Sequence, residues 1–213
     1  MKKNAALLII DVQNDFCPGG ALAVPEGDRV VKPLSRIAEC FAAAGLPVLA
    51  SRDWHPPETG HFKEYGGVWP AHCIQDSPGA AFHQDLNLPA GTLVITKGNN
   101  PDSDAYSAFD GLSSNGRCLA DILKTLQIEH LYIGGLATDY CVCASALDAR
   151  AAGNSVTLLT DAIAGVDVVA GDSERALEVM RNAGAHFCSI AELIMIVSMP
   201  FTTFEIIEQD ATL

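Results

Sequence analysis

Six short apolar runs, at 5–10, 48–51, 93–96, 130–134, 156–160 and 186–189, recur along the chain with helical patterns between them. Runs this short, bounded by Gly, Pro or Asp, read as strands buried on both faces, and strands alternating with helices build parallel sheets. The expected fold class is therefore α/β: a three-layer α/β/α arrangement with a mostly parallel sheet of about six strands. Helices are expected over 30–44, 118–127, 142–152 and 173–183, the first and last closed by Gly45 and Gly184. Pro33 fits the first of these only within its opening turn.

The chain has 213 residues, 49% of them hydrophobic, and no Pro/Gly/Ser-rich linker or charge run divides it. One domain over 1–213 is the simplest reading, carrying a long insertion at about 52–90 rich in Pro, Gly and His. A loop of that length within a compact unit is usually functional. The net charge of -13 leaves no basic stripe for a phosphate backbone, which argues against nucleic acid and anionic membranes as partners. Lys2 and Lys3 precede an apolar run of only six residues, too short for a signal peptide. Seven scattered cysteines read as free thiols in a reducing compartment, so a cytoplasmic location is expected. The apolar run at 193–199, closed by Pro200, is too short to span a bilayer and reads as a packed helix or a subunit contact, which makes a homo-oligomer a candidate assembly.

Ligands of open parallel sheets bind beyond the carboxyl ends of the strands. Asp11 follows the first run, Asp53 and His55 the second, Lys97 the third and Cys141 the fourth. Each alone has a plain explanation as a turn cap, a surface lysine or a small buried residue, but together they put four titratable ends on one rim. Cys141 follows Gly134-Gly135 and opens the helical pattern that begins at Val142. Helix N-terminal N–H groups there are expected to lower its thiol pKa into a reactive range and to hold an oxyanion. Asp53, His55 and His72 form a carboxylate-plus-imidazole set suited to zinc, iron or manganese, with His61 or Glu64 as a further ligand. Cys143 points away from Cys141, Cys17 and Cys73 read as buried filler, and His83, His130 and His186 as structural.

Six spaced segments carry a resemblance: 11–17 (DVQNDFC), 53–56 (DWHP), 69–73 (WPAHC), 97–101 (KGNNP), 104–109 (DAYSAF) and 135–142 (GLATDYCV). In this order they resemble the nicotinamidases, which also hydrolyse pyrazinamide, within the isochorismatase-like cysteine hydrolases. The resemblance implies a catalytic triad of Asp11, Lys97 and Cys141, and one divalent metal ion, zinc first with iron or manganese as alternatives, held by Asp53, His55 and His72; the fourth ligand differs among relatives, with His61 the first candidate here and Glu64 the second. It implies a cis peptide at Leu136–Ala137, an oxyanion hole from the Ala137 and Cys141 N–H groups, and a pyridine pocket walled by Phe16, Trp69 and Tyr106. The small-molecule substrate would be nicotinamide, cleaved to nicotinate and ammonia through a thioester on Cys141 and feeding NAD salvage. In the expected chemistry Asp11 takes the thiol proton, returns it to the leaving nitrogen and then activates water. Three other readings are weaker: another amidase on the same scaffold, a metallohydrolase with an inert Cys141, and a binding protein without activity. The tail at 192–213 matches no motif.

Overall fold

The computed structural model describes residues 4–198. Its sheet is built from β1 (Ala5–Ile10), β2 (Val48–Asp53), β3 (Leu93–Lys97), β4 (Leu112–Ser113), β5 (His130–Leu136), β6 (Ser155–Ala164) and β7 (His186–Cys188). The helices are α1 (Val31–Ala43), α2 (Leu119–Thr125), α3 (Cys143–Ala151), α4 (Asp172–Asn182) and α5 (Ile190–Ser198). Strand order is β4-β3-β2-β1-β5-β6-β7, parallel throughout except that β4 pairs antiparallel with β3.

Alternating side chains on β1 divide the interior into two layers. Leu7 and Ile9 pack with Leu34, Ile37 and Phe41 of α1 and with Ile190 and Leu193 of α5. Ala6, Leu8 and Ile10 face α2, α3 and α4 through Leu119, Ala146 and Met180. Every residue of β1 is fully buried, which is why the strand reads as an unbroken apolar run. The expected three layers are thus present, with seven strands rather than six. The added β4 is two residues long and leaves no periodic trace in the sequence.

Element bounds follow the expected pattern with local shifts. Pro33 falls in the first turn of α1, where its missing N–H costs nothing. β6 continues to Ala164, past the expected end at 160, and its pairing with β5 is irregular between Ile133 and Gly135. The apolar run near 193 begins as a packed helix, since Leu193 is buried in the α1-side layer, while Met199 and Pro200 lie outside the described residues. No helix among the described residues is long and apolar enough to cross a membrane.

Candidate active site

Four adjacent central strands, β3, β2, β1 and β5, end at the same edge of the sheet. Register does part of the assembly: Asp53 and Lys97 are paired partners at the ends of β2 and β3, so their side chains emerge together. Asp11 is the first residue past β1 and turns out of the strand with φ 48, a left-handed conformation that aspartate tolerates better than most residues. Past β5, the Leu136–Ala137 peptide is cis, and a wide π turn over Thr138–Val142 carries Cys141 ahead of α3. Gly135 permits the approach, since a Cβ there would lie 2.1 Å from the Ile10 carbonyl oxygen.

The Lys97 ammonium is the centre of the group. It lies 2.9 Å from Asp11 Oδ2 and 2.5 Å from Asp53 Oδ1, and donates to the Ala105 carbonyl at 3.2 Å and to Cys141 Sγ at 3.5 Å. The Asp11 contact is a close ion pair rather than an aligned hydrogen bond. The other carboxylate oxygen of Asp11 accepts from the Ser51 hydroxyl at 2.7 Å. All four charged or nucleophilic groups are buried.

Burial works against each charge, and the outcome depends on the neighbours. Desolvation would depress the Lys97 ammonium, but Asp11 and Asp53 overcome it and hold the group well above its ordinary value. For Asp53, burial is outweighed by Lys97 and His55, so the carboxyl is held below its ordinary range. For Asp11, burial prevails over Lys97 and raises the carboxyl above its ordinary value. Burial likewise pushes the Cys141 thiol well up, with Lys97 opposing and Asp11 and Asp53 adding to the rise. The direction is opposite to the expectation that helix N–H groups lower that pKa, because the thiol is buried beside two carboxylates. A thiol whose pKa is raised needs a proton acceptor during reaction.

A few ångströms away, His55, His61 and His72 converge, with one ligand atom from each lying within 4.8 Å of the others. Each ring is tied at Nδ1: His55 to the Gly98 carbonyl at 3.2 Å, His72 to the Pro70 carbonyl at 2.8 Å and His61 to Asp104 Oδ1 at 2.7 Å. A carbonyl can only accept, so Nδ1 of His55 and His72 carries a proton, and in the neutral ring this leaves Nε2 with a bare lone pair. His55 Nε2 is buried with no hydrogen-bond partner and lies 3.8 Å from Asp53 Oδ2. Burial lowers the His72 pKa to about 4, so that ring is neutral near pH 7, and lowers that of His61 as well. Three buried imidazoles, each tied at Nδ1, beside the Asp53 carboxylate fit a divalent cation such as zinc. Glu64 is exposed and apart from this group. His61, the other candidate, is buried within it.

Phe16, Trp69, Tyr106, Ala137 and Cys141 line one cavity together with these histidines. It encloses about 470 Å³ not filled by protein atoms, part of it open to solvent. The Trp69 indole N–H donates to the Tyr106 hydroxyl at 2.9 Å, and Tyr140 meets Trp69 edge-on at 5.0 Å between ring centres. Sequence reasoning passed over Tyr140, Ser51, Asp104 and Gln13. Gln13 is buried and clamps both backbone groups of Asp53, donating to its carbonyl at 2.8 Å and accepting from its N–H at 2.7 Å. The place of Gln13, Asp104 and Tyr140 in the 11–17, 104–109 and 135–142 segments was the available signal; Ser51 lies in none of the six.

A three-layer α/β/α sheet with a buried Asp–Lys–Cys group at its carboxyl edge defines a thiol-hydrolase type of scaffold. Residues 5–192 match the isochorismatase domain, and the chain belongs to that family. It is similar to the nicotinamidase of Escherichia coli strain K12, 42% identical over 88% of this chain and 95% of that one. Against the nicotinamidase/pyrazinamidase of Mycobacterium tuberculosis it is 40% identical, over 86% of this chain and 98% of the relative. Among solved structures, a pyrazinamidase of Pyrococcus horikoshii in complex with zinc superposes with a TM-score of 0.81 at 43% identity, covering 87% of this chain and 99% of that one.

Proposed function

We propose that this chain is a nicotinamide amidohydrolase that forms nicotinate and ammonia through a thioester on Cys141, serves NAD salvage and also accepts pyrazinamide. The observation that carries the reading is the single buried ammonium of Lys97 in reach of Asp11, Asp53 and Cys141 Sγ. The named activities of the relatives support it.

A carboxamide needs a nucleophile, a proton for its nitrogen and a stabilised oxyanion. Asp11, whose carboxyl is raised toward a useful range, accepts the thiol proton as Sγ attacks the amide carbon. Lys97 holds Asp11 in place and offsets the negative charge that develops. Backbone N–H groups of Ala137 and Cys141 receive the oxyanion. Asp11 then hands the proton to the departing ammonia, and takes another from the water that cleaves the thioester. Phe16, Trp69 and Tyr106 pack against the ring.

Asp53, His55, His61 and His72 would hold one divalent ion, zinc by preference; bound there, it supplies a positive point that orients a ring nitrogen and favours pyridine and pyrazine amides. A metallohydrolase with inert sulfur would leave the Lys97–Sγ contact without purpose. The reading is tested by assaying ammonia release from nicotinamide, pyrazinamide and an aliphatic amide with the purified protein. Rapid release from the two ring amides is expected, and release from the aliphatic amide alone would overturn it.

A further inference from the structure

The three histidines are not held alike. His55 and His72 are tied by backbone carbonyls, which no side-chain change removes. His61 is tied by a side chain, and that carboxylate, on Asp104, is 67% exposed. Asp104 belongs to the loop after β3, a strap that touches each part of the site in turn. Gly98 meets His55, Pro101 accepts from Thr59 and Gly60 just before His61, and Ala105 accepts from Lys97.

We propose that Asp104 is a positioning residue that sets how tightly the three-histidine site retains its divalent cation; the inference rests on the metal reading above. A carboxylate at 2.7 Å from Nδ1 keeps the proton on that nitrogen, leaves the Nε2 lone pair bare and makes the ring a stronger donor. Ring packing on His55 and Tyr106 holds the His61 plane, but the hydrogen bond to Asp104 is what fixes which ring nitrogen carries the proton. Among the described residues no hydrogen bond or ion pair joins Asp104 to Asp11, Lys97 or Cys141, so the effect is on metal retention first and on turnover only through it.

The test is the zinc affinity of metal-stripped protein, measured by competition with a chromophoric chelator, for wild type, Asp104→Ala, Asp104→Asn and Asp102→Ala. Loss of one such outer carboxylate weakens metal binding by roughly 10–100-fold. That loss is expected for Asp104→Ala, with a smaller one for Asp104→Asn, which keeps an acceptor oxygen, and none for Asp102→Ala on the same strap. Cobalt loaded in place of zinc reads the ligand field directly. Its visible bands should change in Asp104→Ala, while the melting temperature of the metal-free variant stays at the wild-type value, as a merely structural role would not allow. Wild-type affinity and cobalt bands in Asp104→Ala would overturn the proposal, as would equal weakening by Asp102→Ala. Failure of the wild type itself to take up either cation is a separate result, and would overturn the metal reading together with this one.

Discussion

At the level of single residues, the chemistry depends on one cation buried among anions. Replacing Cys141 by Ala removes the nucleophile and leaves a small apolar side chain, so ammonia release should fall by about 10³-fold or more with the fold and metal content retained. Near-normal turnover by that variant would remove the thiol from the mechanism. Lys97→Met strands two buried carboxylates, and loss of one partner of a buried ion pair costs roughly 3–5 kcal/mol, measurable by denaturant unfolding. The pH dependence follows from Asp11. Its carboxyl is raised above the ordinary value, and only the ionised form can take the thiol proton, so kcat/KM should decline as pH falls through that raised pKa. Because Lys97 lowers the Asp11 pKa, any residual activity of Lys97→Met should lose its acid limb at higher pH, which a pH–rate profile would reveal. Asp11, Lys97 and Cys141 were readable as a set because each lies at or just past the carboxyl end of an apolar run. The serine that bonds Asp11 and the aspartate that bonds His61 were not, because Ser51 and Asp104 are ordinary residues until the chain folds around their partners.

Between neighbouring elements, close approach of backbones decides what is tolerated. At Gly98, with φ +74, an added Cβ would lie 2.6 Å from the His55 ring. Gly98→Ala should therefore push that imidazole aside and lower metal content, read by elemental analysis, more than it lowers the melting temperature. Gly135 abuts the Ile10 carbonyl, so Gly135→Ala should pry β5 from β1 and cost roughly 3 kcal/mol of unfolding free energy. The strands and helices around these points were legible in the chain because their apolar periods are local. Two-residue β4 carries too few positions to show a period, and the irregular pairing of β6 with β5 depends on a neighbour strand rather than on its own residues. The loop at 52–90 was legible as a metal-binding insertion from its histidines and carboxylates, but not its path: isolated bridges join His55 to Ile74 and Phe62 to Trp69 and bring His61 and His72 back beside His55.

For the molecule as a whole, the metal and the fold are linked. A cation that binds only the folded state stabilises it by RT ln(1 + [L]/Kd), about 2.7 kcal/mol at a hundredfold excess over Kd. Thermal melts of metal-stripped protein should therefore shift upward as zinc is added, and a melting temperature indifferent to zinc would count against a site at His55, His61 and His72. Family membership and the α/β/α class were both within reach of the one-dimensional chain, since periodic apolar runs and six ordered segments are properties of sequence alone. So was the identity of the residues at the strand ends. The proton state of Cys141 was not: helix position suggested an acidic thiol, whereas the folded protein buries it beside two carboxylates and drives its pKa upward. Nor was the placement of His61 beside His55 and His72 while Glu64, three residues on, stays exposed. Local periodicity and residue chemistry are written along the chain; burial, charge neighbours and the tautomer of a histidine are set by atoms that meet only across the fold.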